Sequence, residues 1–71
     1  MTTEEVTELR HVLAARLNEA RAILTQTIEE QQTRAADPDV TGKERRHAGS
    51  LARQGRETLA RIDRQLARLN R

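Results

Sequence analysis

The sequence predicts an all-α fold, an antiparallel two-helix coiled-coil hairpin that dimerises into a four-helix bundle. Apolar residues recur at helical spacing through two long segments, and one cluster of turn residues separates them. The composition also offers little to fill a globular core. Only 35% of the 71 residues are hydrophobic, 34% are charged, and Phe, Trp, Tyr and Cys are all absent. Aromatic side chains contribute the largest buried areas, and small domains without them depend on disulfides, metals or association. An extended helical object is what remains.

The chain reads as one domain over residues 1–71, with helix 1 over about 3–35, a turn over about 36–42 and helix 2 over about 43–70. The first helix opens at Thr2-Thr3-Glu4-Glu5 and the second at Thr41-Gly42-Lys43-Glu44. Each run matches a capping box, in which a threonine oxygen accepts from a backbone N–H three residues on. Between them, Asp37-Pro38-Asp39 holds the only proline. Asp-Pro initiates turns, and the proline ring pushes Asp37 out of the α region.

In the first segment Val6, Leu9, Leu13, Leu17, Ala20, Leu24 and Ile28 repeat every eleven residues, which suits a nearly straight helix. In the second, Ala48, Ala52, Gly55, Leu59, Ile62, Leu66 and Leu69 repeat every seven. The periods disagree, so a long regular supercoil is not expected. A short connection makes the helices antiparallel neighbours. With the turn centred near Asp39, Ala48, Ala52 and Gly55 fall opposite Glu30, Gln26 and Ile23, with Leu24 and Ile28 nearby. Leu59, Ile62, Leu66 and Leu69 fall opposite Leu17, Leu13, Val12 and Leu9. This register predicts the tightest packing at the open end and a looser tip. Val12 and Ile23 sit on the shoulder of helix 1, so its apolar face is wider than one partner helix needs. Two helices alone scarcely offset roughly 1.5 kcal/mol of lost entropy per ordered residue, which is the reason to expect a homodimer.

Charge divides along the chain. Residues 1–40 carry eight acidic and four basic side chains, a net −4, and residues 41–71 carry nine basic and three acidic, a net +6. Opposite halves favour side-by-side pairing. No apolar run approaches the roughly 18–20 residues that span a bilayer, and the acidic N-terminus lacks the basic and apolar regions of a signal peptide, so a cytoplasmic protein is expected.

Chemistry-bearing patterns are sparse. Glu8/His11 and Glu44/His47 have the Glu-x-x-His spacing of bundle metal sites, but His11 faces away from the apolar stripe and the two pairs fall at opposite ends of a hairpin. No metal or other cofactor is expected. The one serine, Ser50, has only His47 near it in sequence, and no Gly-rich phosphate loop is present, so an enzyme is not expected. Arg46, Arg53, Arg64 and Arg71, flanked by Arg61 and Arg68, form a basic face on helix 2 away from its apolar stripe. Such a row suits solvent, an acidic protein surface or phosphates. Missing aromatics and the acidic first helix weigh against nucleic acid. Asp37 and Asp39 flank the proline at the tip, either as turn chemistry or as an acidic probe for a partner.

The run Arg56-Glu57-Thr58-Leu59-Ala60-Arg61-Ile62-Asp63-Arg64-Gln65-Leu66-Ala67-Arg68-Leu69 resembles the second coiled-coil helix of the DksA/TraR-type transcription regulators. The run Leu9-Arg10-His11-Val12-Leu13-Ala14-Ala15-Arg16-Leu17 is similar to their first helix, and Asp37 and Asp39 fall at the acidic tip. The likeness covers the hairpin without that family's four-cysteine zinc finger. It implies a hairpin that enters the secondary channel of bacterial RNA polymerase and regulates initiation through Asp37 and Asp39. The Gre elongation factors have a similar acidic-tipped hairpin. The alternatives are a structural homo-oligomerisation module, in which the tip does nothing, and a small basic DNA-associated protein.

Overall fold

A computed structural model describes residues 2–70, and these form two helices that pack against each other, with no strand. Helix α1 spans Thr3–Ala36 and helix α2 spans Gly42–Leu69. The molecule is a rod of 56 × 14 × 14 Å. At 1.5 Å per residue, α1 is about 51 Å and α2 about 42 Å long, so the length of the rod is essentially that of one helix.

Both helix starts are capped by threonine. Thr2 Oγ1 accepts from the Glu5 N–H and Thr41 Oγ1 from the Glu44 N–H, each at 3.2 Å. Glu4, Glu5 and Glu44 in the first turns, and Arg34 and Arg68 in the last, complement the helix dipoles. At the end of α1, Asp37 is extended (φ −76°, ψ 118°), as a residue before proline must be, and its N–H donates to the Arg34 carbonyl. Mid-helix threonines turn their hydroxyls back on the carbonyl four residues earlier. Thr7, Thr25, Thr27, Thr33 and Thr58 all do so, and none of these hydroxyls needs an outside partner.

The tightest packing is in the half of the rod nearer the turn, contrary to the expected looser tip. Ile28, Ala48, Ala52 and Gly55 are buried there, with Ile62 the next buried residue along α2. A Cβ placed on Gly55 would come within 2.7 Å of Ile28 Cγ1 and 3.7 Å of Leu24 Cδ1. Gly55 therefore receives Ile28 and Leu24, rather than lying opposite Ile23, whose side chain is outside the seam. The physical reason is size. Ala48, Ala52 and Gly55 let the backbones approach, and a close-packed seam forms wherever one helix is thin. At the open end leucine faces leucine, and Leu17, Leu59, Leu66 and Leu69 are only half-buried while Leu9 and Leu13 are exposed. That end is loosely covered because two helices cannot wrap side chains of that size.

Candidate protein-interaction surface

The two sides of the hairpin differ. Arg21 Nε donates to Asp63 Oδ1 at 2.8 Å, closing one side with an ion pair. At 100° per residue, Val12 and Ile23 stand on the opposite shoulder of α1 from Arg21, and Leu51 on the opposite shoulder of α2 from Asp63. All three therefore project from the other side. Arg34 Nη2 and Glu44 Oε2, 3.9 Å apart, lie on that side near the turn. Among the described residues, the large apolar side chains that remain exposed are Leu9 (45%), Val12 (50%), Leu13 (47%), Ile23 (67%) and Leu51 (38%). One face of the rod thus carries an apolar stripe, bounded near the turn by Arg34 and Glu44, and among the described residues the Arg21–Asp63 face carries no large exposed apolar side chain.

A shallow groove of about 330 Å³ runs along this apolar side at the open end, between Leu13 and Leu17 of α1 and Gln65 and Leu69 of α2. A second, of about 480 Å³, lies nearer the turn and is lined mostly by polar residues, Gln31, Arg34, Thr41, Lys43, Glu44 and His47, together with Ala48 and Leu51. Thr27 and Thr58 share this face with their hydroxyls already bonded, so covering them strands no donor. Among the described residues, no buried side-chain nitrogen or oxygen lacks a partner.

The turn accounts for one of its two carboxylates. Asp37 Oδ1 accepts from the Asp39 N–H at 2.9 Å, and the Asp37 carbonyl accepts from the Val40 N–H, so Asp37 builds the turn. Asp39 is exposed at the end of the rod. On α2, Arg46, Arg53, Arg61, Arg64 and Arg68 are all exposed and, among the described residues, in no ion pair. Arg71, the last member of the expected basic face, lies outside the described residues. Glu8, His11, Glu44 and His47 are surface residues, and among the described residues no group of three or more His, Cys, Asp or Glu side chains is placed to hold a metal ion. Among the same residues no helix is long and apolar enough to cross a membrane.

The shoulder positions of Val12 and Ile23 are legible in the sequence, but Leu51 is not, because it falls outside the seven-residue series of α2. Its place one residue before Ala52 is the signal, since that puts it on the flank of the seam. Which flank it shares with Ile23 depends on the Arg21–Asp63 contact. No protein-family model, curated protein or solved structure matches the chain.

Proposed function

We propose that the chain is a non-enzymatic interaction hairpin whose first contact is a second copy of itself, the two apolar sides closing into a four-helix bundle. The observation that carries this reading is the gathering of Val12, Ile23 and Leu51 on one side of the rod, continuous with the Leu13/Leu69 groove. A helix face left apolar beyond its own partner needs another surface to cover it. Burying a large aliphatic side chain is worth about 1.5–3 kcal/mol. Thermal unfolding followed by circular dichroism at several concentrations tests it. The midpoint rises with concentration if folding is coupled to dimerisation, and a midpoint independent of concentration contradicts the reading.

A second reading, regulation of bacterial transcription in the cytoplasm by insertion of the tip into RNA polymerase, draws support from Asp39. Its side chain plays no part in the turn bonding and stands exposed at the end of a 56 Å rod. Capture of bacterial RNA polymerase by the immobilised chain, lost with Asp39→Ala and kept with the charge-conserving Asp39→Glu, supports it. Capture that Asp39→Ala leaves intact removes the tip from the account.

A further inference from the structure

Two hairpins can stack face to face about a two-fold axis in two ways. With the axis along the rod, α1 lies beside α2 of the second copy and both turns emerge at one end. With the axis across the rod, α1 lies along α1, α2 along α2, and the turns emerge at opposite ends. Every neighbouring pair of helices is antiparallel in both, so helix dipoles do not choose between them.

We infer that the two copies pair with their turns together, the two-fold axis running along the rod. This rests on the dimer reading above and adds the orientation. The first reason is where the apolar residues sit. Leu9, Val12 and Leu13, with Arg16 beside them, lie toward the open end of the exposed side, whereas its α1 residues nearer the turn are Ile23, Thr27, Gln31 and Arg34. With the turns together, the leucines and Val12 of one copy come level with those of the other and with Leu69. With the turns apart, these three are laid toward Thr27, Gln31 and Arg34 of the second copy, so apolar groups meet polar ones there.

The second reason is charge at the rim. Glu8, Glu19 and Glu30 stand eleven residues apart, the same period as the apolar repeat of α1, and so form one row along the outer edge of the apolar side. On α2 the corresponding outer edge carries Lys43, Arg61 and Arg68, with Glu57 as its exception. All of these side chains are exposed. With the axis along the rod, each acidic row faces the basic edge of the second copy. Arg21 bonds Asp63 and Ile28 lies beside Gly55, so Glu19 comes within about one helical turn of the level of Arg61. With the axis across the rod, Glu19 meets Glu19 of the second copy and the basic edges meet each other. Like charges at a rim select against a pairing even where opposite charges add little affinity.

Pulsed electron–electron double resonance on a spin-labelled Asp39→Cys chain decides between them, since the protein has no other cysteine. Helices in a bundle lie 8–10 Å apart, so paired turns put the two labels within about 30 Å of each other. A separation near the 56 Å length of the rod overturns the orientation and leaves the dimer standing. A single-chain mass with no interchain coupling at high micromolar concentration overturns both. Glu4→Cys, labelled at the other end of α1, reads the same alternative without touching the turn: a short distance agrees with turns together and one near the rod's length contradicts it.

Discussion

Gly55 receives Ile28 so closely that a methyl group at position 55 would stand 2.7 Å from Ile28 Cγ1. That atom moves only by rotation about χ1, which a helix holds to one strongly preferred value for isoleucine, so it gives way at a cost. Gly49, six residues earlier on the same helix, has nothing within 4 Å of its would-be Cβ. The two glycines therefore respond to the same substitution in opposite directions. Gly49→Ala gains up to about 1 kcal/mol of helix propensity. Gly55→Ala gains the same propensity but suffers overpacking of roughly 1–3 kcal/mol, for a net loss of about 1 kcal/mol. Chemical denaturation of both variants measures the difference. Combining Gly55→Ala with Ile28→Ala should cost less than the two single losses together, because the smaller side chain makes the room.

Ala52 is 2% exposed and lies in the thin part of α2. Ala52→Leu forces the backbones apart along the best-packed stretch, and an unfolding loss of 1–3 kcal/mol or more is expected. Urea titration reads it. Unchanged stability would mean that the close approach of the helices is not what holds the tip half together.

The Arg21–Asp63 pair is short but half exposed, at 49% and 48%. Exposed pairs are typically worth 0.2–1 kcal/mol. A double-mutant cycle with Arg21→Ala and Asp63→Ala should give a coupling below about 1 kcal/mol, falling further at 1 M salt, where the screening length is about 3 Å. A larger, salt-insensitive coupling would contradict this description of the pair.

The turn separates its two aspartates. Asp37→Ala removes the acceptor for the Asp39 N–H and costs about 1 kcal/mol, while Asp39→Ala stays within about 0.5 kcal/mol of the parent. Thermal melts of the two variants at equal concentration test it, and equal losses would assign both carboxylates to the turn.

At the rim, Glu19→Arg alone and Arg61→Glu alone each weaken a turns-together dimer several-fold, and the double variant recovers most of the loss. Dissociation constants at low salt measure this. Failure of the double variant to recover affinity removes the Glu19–Arg61 contact between copies.

Much of this architecture is legible in the sequence. Thr2 and Thr41 announce their helices because a cap needs only a hydroxyl and a backbone N–H three residues on. The turn at Pro38 follows from what proline forbids. The register is less accessible. Placing Gly55 opposite Ile23 assumes that both helices leave the turn symmetrically, whereas Ile28 and Leu24 occupy the space that Gly55 leaves. The expected tight open end fails for a related reason: leucines signal burial in a pattern, but two helices alone cannot surround them, and small residues give the closer contact. The exposed side is half legible. Val12 and Ile23 stand off the stripe in the sequence, but that they share a side with Leu51 requires the three-dimensional pairing of Arg21 with Asp63.

Sedimentation equilibrium of the unmodified chain beside Ile23→Glu and Val12→Glu tests the central claim most directly. At micromolar concentration the parent should sediment with twice the 8.1 kDa mass of one chain, and each variant should shift at least tenfold toward the monomer. A folded parent at 8.1 kDa throughout, or variants that dimerise as tightly as the parent, would show that this apolar side is not where a second copy binds.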